Sequence, residues 1–85
     1  MRRVEWNQQK SRELKQRRGV SFEDVVRWRL VDIIQHPARS DQRLYIFAHE
    51  NYCWVVPCVT TDEHIFLKTI YRSRKYTKKY LHKEP

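Results

Sequence analysis

The side chains best suited to chemistry in this chain are basic, phenolic and imidazole groups. Its 85 residues include 18 Lys and Arg, five Tyr and four His, against ten Asp and Glu. RNA can be cleaved by its own 2′-hydroxyl when a protein helps to deprotonate that group, stabilises the charge on the phosphate and protonates the leaving oxygen. Arginine and lysine can stabilise the charge, and histidine, tyrosine or lysine can move the protons. The composition is therefore compatible with metal-free RNA cleavage without being specific to it.

Several other kinds of site are excluded or disfavoured by the residues. The chain has a single glycine, Gly19, which excludes a glycine-rich nucleotide-binding loop. The carboxylates are few and scattered, so no acidic cluster for two metal ions is visible. Cys53 and Cys58 lie five positions apart in one strand-like run, which favours two buried apolar side chains over a disulfide or a reactive thiolate. We predict neither a metal ion nor a cofactor.

The histidines differ in their sequence context. A lone histidine is more often a surface or turn residue than a catalyst. His64 begins the last predicted strand, close in sequence to the basic C-terminal segment, and we therefore consider it the best candidate for acid–base catalysis. The three tryptophans could stack on bases, although core packing is their more usual role.

The net charge of +8 is concentrated at the two ends of the chain. Residues 1–18 carry +5 and residues 72–85 carry +5, whereas residues 19–71 carry −2. If the two ends meet in the fold, they form a basic face that attracts a polyanion by neutralising phosphates and releasing counterions. That polyanion could be a nucleic acid, or an acidic protein that covers the same face; the alternative is a pair of solvated basic helices. The side chains that we expect to bind RNA are Arg17, Arg18, Arg72, Lys75, Lys78 and Lys79.

Helices near both ends must position these basic side chains. Residues 6–18 contain no proline or glycine and predict a first helix that stops at Gly19. Ser21, with Asp24 three positions later, predicts the N-cap of a second helix of two to three turns. Residues 72–83 predict a third helix, with Tyr76 and Tyr80 docked on a sheet and its basic residues exposed to solvent.

Four predicted strands separate these helices, at residues 31–35, 43–48, 52–60 and 64–71. Pro57 indicates a bulge or an unpaired position within the third of them. Short connections, including a tight turn at Glu50 and Asn51, make the strands antiparallel neighbours. The order α-α-β-β-β-β-α predicts one α+β domain over residues 1–85, with helices covering one face of an antiparallel sheet.

The hydropathy pattern predicts no membrane segment. The longest nearly uncharged stretch, residues 51–61, falls well short of the roughly 20 apolar residues that a spanning helix requires. No apolar segment follows the basic N-terminal residues, so no secretory signal is visible. We expect a cytoplasmic protein.

Three segments near the ends of the chain, residues 4–10, 15–24 and 70–80, resemble those of BrnT-type toxins of bacterial type II toxin–antitoxin systems. Residues 4–10 (Val-Glu-Trp-Asn-Gln-Gln-Lys) and 15–24 (Lys-Gln-Arg-Arg-Gly-Val-Ser-Phe-Glu-Asp) resemble the family's opening Trp-Asp-x-x-Lys helix and His-Gly-Val/Ile-Ser-Phe motif. Residues 70–80 resemble its closing strand and helix, which carry an Arg-Lys/Arg-x-Thr/Ser pattern, and Arg43 opens the middle hairpin where the family often has an arginine. Asn7 and Arg18 stand where the family usually has Asp and His.

The resemblance implies a RelE-like fold and a metal-independent endoribonuclease that cleaves RNA and inhibits translation. It implies a cognate antitoxin protein as partner, with contact to DNA only through that antitoxin. The implied catalytic residues are Lys10, Arg43 and Arg74, to which the sequence context adds His64. The residues alone leave two alternatives open: a nucleic-acid-binding module without catalysis, and a protein whose basic face docks an acidic chain.

Overall fold

Six strands form one sheet, with helices at both ends of the chain. The computed structural model describes residues 2–82. The elements are β1 (Arg3–Trp6), α1 (Gln8–Arg18), α2 (Phe22–Val25), β2 (Arg29–Gln35), β3 (Gln42–His49), β4 (Tyr52–Thr60), β5 (His64–Leu67), β6 (Tyr71–Ser73) and α3 (Arg74–Tyr80). The sheet order is β1-β5-β4-β3-β2, and β6 also pairs with β4. The α+β class is as predicted, and the third helix ends before Lys83, which lies outside the described residues.

Strand β4 is the centre of the sheet. One of its edges pairs with β3 along its whole length, through the turn at Glu50 and Asn51, whose φ values of 50° and 65° match the predicted tight turn. Its other edge is shared, because residues 58–60 pair with β5 and residues 53–55 pair with β6. The predicted strand 64–71 is therefore two strands. The break faces Pro57, which lacks an N–H to continue a ladder, and the Lys68 N–H bonds to the Pro57 carbonyl oxygen at 2.8 Å.

Strand β1 corrects the sequence-based prediction at the N-terminus. Residues 3–6 pair in parallel with residues 64–67 of β5, so that Trp6 ends a strand and the sheet is mixed rather than purely antiparallel. The partner strand lies 61 positions away in the sequence, and no local periodicity reveals such a pairing. Helix α1 begins after Asn7, whose side chain accepts a hydrogen bond from the Lys10 N–H at 2.9 Å.

The helix boundaries that depend on capping residues agree with the sequence-based prediction. Gly19 ends α1 with a φ of 78°, and Ser21 and Asp24 form the predicted capping box. The length of α2 was predicted wrongly. It is a single turn, because the chain leaves the helix at Val26 and enters β2 at Arg29 to pair with β3.

Helices cover both faces of the sheet, which corrects the prediction of one covered face. Leu14 of α1 and Phe22 of α2 pack with Trp54, Val56 and Cys58 on one face. On the opposite face α3 buries Tyr76 against side chains of β3 and β4, namely Leu44, Ile46, Cys53 and Val55. Because side chains alternate along a strand, β4 contributes to both cores. Both cysteines are free and buried, on opposite faces, as predicted.

None of the helices within residues 2–82 has the length and hydrophobicity that crossing a membrane requires.

Candidate nucleic-acid interface

An open cleft of about 600 Å³ lies between α3, β6 and the start of β4. We call it the basic cleft; its lining residues are Tyr52, Arg72, Arg74, Thr77, Lys78 and His82. Three of the six side chains are cations, one is an imidazole and one is a phenol, and no carboxylate of residues 2–82 lines the cleft. A surface of this composition attracts an anion, and its donors suit phosphate oxygens.

Hydrogen bonds around Ser73 and Thr77 fix α3 beside the cleft. The Ser73 hydroxyl caps the helix by accepting a bond from the Tyr76 N–H at 3.1 Å. The Thr77 hydroxyl donates to the Ser73 carbonyl oxygen at 2.6 Å and accepts from the Cys53 N–H at 2.8 Å. The helix is thereby attached to the start of β4. Arg74 and Lys78, four positions apart, then face the same side of the helix.

The other end of α3 is attached to β2. The Tyr80 hydroxyl donates to Oδ2 of Asp32 at 2.5 Å, and the Tyr76 and Tyr80 rings lie with centroids 6.1 Å apart. This hydrogen bond lowers the pKa of Asp32, and together with burial it raises the pKa of Tyr80 to about 12. As predicted, the two tyrosines dock the helix, and Arg74 and Lys78 remain exposed.

Arg72 is held above aromatic rings at one side of the cleft. Its guanidinium carbon lies 4.2 Å from the centre of the Tyr52 ring and 5.7 Å from that of Trp54. Trp54 in turn contacts Trp28, which stacks on His49 with ring centroids 4.1 Å apart. Stacking on a ring orients a guanidinium and leaves its N–H groups free to bind a phosphate.

The two basic ends of the chain meet near this cleft. The Arg18 guanidinium, at the end of α1, donates a hydrogen bond to the backbone oxygen of Ile70, two positions before Arg72. Charges that are far apart in the sequence thus lie in one region of the surface. This is the arrangement on which the expected basic face depended.

Comparison of the chain with protein-family models, with curated proteins and with solved structures finds no match. Its function must be inferred from its own residues.

Three of the side chains expected to act on RNA lie together in the cleft: Arg72, Arg74 and Lys78. Lys75 and Lys79 are exposed on the same helix but do not line the cleft. Their Nζ atoms lie 5.3 Å and 5.4 Å from the ring centres of the tyrosines that follow them in the sequence. Their positions suit long-range attraction of a polyanion more than fixed contacts.

The other expected catalytic residues lie away from the cleft. In the β-ladder Arg43 pairs with Cys58 of β4, whereas Ser73, the neighbour of Arg74, pairs with Cys53. The five positions from Cys53 to Cys58 place Arg43 about 16 Å along β4 from the start of α3. The Arg43 guanidinium donates a hydrogen bond to the Gln35 side chain.

Lys10 and His64 are also at other places. His64 lies at the β1–β5 end of the sheet, where its Nδ1 is 2.7 Å from Oε1 of Glu5. Lys10 lies in the first turn of α1, half-buried. The structure therefore does not bring the four expected catalytic residues together, and Arg74 is the one that lines the cleft.

Three lining residues, Tyr52, Thr77 and His82, were not selected from the sequence. Arg74, Lys78 and His82 are spaced by four, and this helical spacing was the signal that could have indicated His82. The backbone N–H of His82 donates a hydrogen bond to the Thr77 carbonyl oxygen at 3.1 Å. This bond keeps His82 beside the helix after α3 has ended. Tyr52 has no such signal, because its place in the cleft depends on the pairing of β4 with β6.

The remaining ionisable groups offer little for metal or thiol chemistry. Within residues 2–82, no group of three or more His, Cys, Asp and Glu side chains is arranged to hold a metal ion. Burial raises the pKa of Cys58 to about 12 and also raises that of Cys53. The ionisable groups that line the cleft are two guanidiniums, an ammonium, an imidazole and a phenol.

Proposed function

We propose that this protein is a metal-independent endoribonuclease that binds and cleaves RNA at the basic cleft. The observation that carries the proposal is the cleft itself, in which three cations, an imidazole and a phenol of the described residues converge. Phosphate contacts of this kind bind a nucleic-acid backbone independently of its sequence. The imidazole of His82 adds a group that can accept or donate a proton.

The side chains divide into those that stabilise charge and those that move protons. Lys78 would hold the scissile phosphate, and Arg74, together with Arg72 oriented by Tyr52, would stabilise the charge that develops on it. His82 would take the proton of the 2′-hydroxyl or deliver a proton to the leaving oxygen, with the Tyr52 phenol as a second proton carrier. Each of these groups lines the same cleft.

We further propose that the enzyme is the toxin of a type II toxin–antitoxin system in the cytoplasm. This part rests on the resemblance of residues 4–24 and 70–80 to BrnT-type toxins. The same two segments supply Arg18 and its acceptor Ile70, and the second supplies most of the cleft. RNA cleavage would inhibit translation, and a cognate antitoxin would prevent it.

A nucleic-acid-binding module without catalysis is the second candidate. It is favoured by the positions of Lys10, Arg43 and His64 outside the cleft, which leave the cleft with fewer of the expected catalytic groups than the sequence suggested. Such a module would use the same cations and the Arg72–Tyr52 stack for binding alone.

Incubation of the purified protein with single-stranded RNA distinguishes the two candidates. We expect cleavage that persists in EDTA, because attack by the 2′-hydroxyl needs no metal ion, and that falls by orders of magnitude in Arg74→Ala and His82→Gln. Arg39→Ala, an exposed arginine of the β2–β3 loop, is the matched control and should cleave normally. Binding without cleavage would establish the second candidate, and cleavage abolished by EDTA and restored by Mg²⁺ would contradict the mechanism.

The toxin proposal has a separate test in living bacteria. Expression of the chain alone should stop growth reversibly, and the Arg74→Ala variant should not. Normal growth at confirmed expression of folded wild-type protein would contradict the toxin role, whatever the result in vitro.

A further inference from the structure

Helices α1 and α2 cover only part of their face of the sheet, and the remainder is an apolar groove. The groove has a volume of about 250 Å³ and is formed by the segment that connects α2 to β2 and by strands β1, β2, β3 and β5. Val4, Val26, Leu30, Tyr45 and Ile65 are among its lining residues. It shares no lining residue with the basic cleft, so its role can be tested independently of the proposed function.

The groove exposes large apolar side chains that a small domain would ordinarily bury. Val4, Val26 and Leu30 are 47%, 44% and 44% exposed. Ile33, 45% exposed, extends the same surface, because it pairs with Tyr45. A register shift between Leu30 and Asp32 turns both Leu30 and Ile33 to this face. Contiguous exposed apolar surface of this kind marks an interaction site.

Three arginines lie near the groove in space or in sequence. Arg43 lies opposite Cys58 in the ladder and so faces the same side of the sheet as the groove. Arg2 and Arg43 both lie near the Tyr45 hydroxyl, and their charges oppose the rise that burial causes in its pKa. Arg27 stands in the sequence between two lining residues, Val26 and Trp28, and no carboxylate lines the groove.

We propose that the apolar groove docks an acidic amphipathic helix of a partner protein. The apolar stripe of that helix would fill the groove, and carboxylates at its edges would pair with Arg2, Arg27 and Arg43. A helix is the fitting occupant because the neighbouring part of this face already packs under α1, and an open sheet face is completed by a helix laid upon it. Charge complementarity then requires acidic residues.

The same observations disfavour two other occupants. A second copy of the chain would bring another net charge of +8 close to Arg2, Arg27 and Arg43, which costs free energy through repulsion. RNA would find apolar side chains in the groove instead of donors for its phosphates. Both remain as outcomes of the experiment.

The probes are three labelled synthetic peptides of about 18 residues, or five helical turns. The first has leucines along one helical stripe flanked by glutamates, the second has the same composition in shuffled order, and the third has lysine in place of glutamate. Binding is measured by fluorescence anisotropy. We expect the first peptide to bind and the other two to bind at least about tenfold more weakly, because stripe and charge must both match.

Substitutions at exposed positions test whether the first peptide binds in the groove. Leu30→Glu and Val26→Glu should each weaken binding of the first peptide by about tenfold or more, since each adds a like charge to the contact. Tyr71→Glu is the matched control, because Tyr71 is also an exposed large apolar residue (37%) but does not line the groove. Circular dichroism confirms that each variant is folded.

Four outcomes would overturn the proposal: failure of the first peptide to bind, equal binding of the shuffled peptide, unchanged binding to both groove variants when folded, or displacement of the peptide by an RNA oligonucleotide. Sedimentation velocity adds a further check. A dimer of the free protein that Leu30→Glu dissociates would assign the groove to a second copy instead.

Discussion

The guanidinium of Arg18 donates a hydrogen bond to the backbone oxygen of Ile70. This contact joins the end of α1 to the segment that leads into β6. It also brings a positive charge from the first basic segment beside the second, which begins at Arg72. The basic region of the surface therefore depends on a tertiary contact as well as on composition.

Removal of this contact should affect both stability and binding. We expect Arg18→Ala to lower the free energy of unfolding by about 1 kcal/mol, because the side chain is exposed and a hydrogen bond of this kind has a modest net value. RNA binding should weaken as well. Urea unfolding and equilibrium RNA binding measure the two effects. Arg17→Ala, the exposed neighbour, should lose binding alone; equal loss of stability in both variants would contradict a specific role for Arg18.

Arg74 and Lys79 should differ in what they contribute to activity. Arg74 lines the cleft at the fixed start of α3, so Arg74→Ala should reduce single-turnover cleavage by orders of magnitude with a small effect on binding. Lys79 lies outside the cleft, and Lys79→Ala should weaken binding and reduce the salt dependence by about one ion. If both variants lose only binding, and equally, Arg74 has no catalytic role.

The Tyr80–Asp32 hydrogen bond should make stability depend on pH at both extremes. The pKa of Tyr80 is raised to about 12, so its stabilisation is complete below the usual tyrosine value of about 10 and is lost as the pH rises toward 12. The pKa of Asp32 is lowered, so its stabilisation is present above the usual value near 4 and is lost as the pH falls through the lowered one.

Tyr80→Phe tests this pair because it removes the hydroxyl and keeps the ring. Unfolding midpoints in urea should fall less steeply between pH 10 and pH 12 in the variant than in the wild type, and less steeply below about pH 4. Tyr52→Phe, at a half-buried tyrosine of the basic cleft, is the control. If the pH profiles of wild type and Tyr80→Phe were parallel, the hydrogen bond would not contribute to the pH dependence of stability.

Both cysteines should be unreactive in the folded protein. Cys58 is fully buried with a pKa of about 12, and Cys53 is also fully buried with a raised pKa. Because the thiolate is the reactive form, iodoacetamide should modify neither residue at neutral pH until the protein is unfolded in urea. Mass spectrometry counts the labels, and rapid native labelling of either thiol would contradict the buried positions.

Local signals in the sequence predicted those parts of the fold that short-range geometry decides. Gly19 at the end of α1, the Ser21–Asp24 capping box and the turn at Asn51 each satisfy a backbone requirement within a few residues. The bounds of β4 and the docking of Tyr76 against the sheet also agree with the prediction.

Features that depend on distant pairing could not be predicted in this way. Strand β1, the division of residues 64–73 into β5 and β6, and the packing of α3 on the face opposite α1 all require knowledge of strand order. The cleft has the same origin. Arg74 was expected from the resemblance to BrnT-type toxins, but Tyr52 joins it through the pairing of β4 with β6, whereas Arg43 and His64 are carried to other parts of the sheet.

The parallel pairing of β1 with β5 has a consequence for how the chain acquires its fold. Arg3 bonds through its N–H to the Glu63 carbonyl oxygen at 2.8 Å, and Glu5 contacts His64, so the first strand completes its contacts only with residues made some 60 positions later. Such high contact order slows folding, because a long loop must close before the pairing can stabilise it. During translation, β1 must wait for β5 to leave the ribosome, so residues 3–6 are synthesised before their partner strand and are fixed in place only after it.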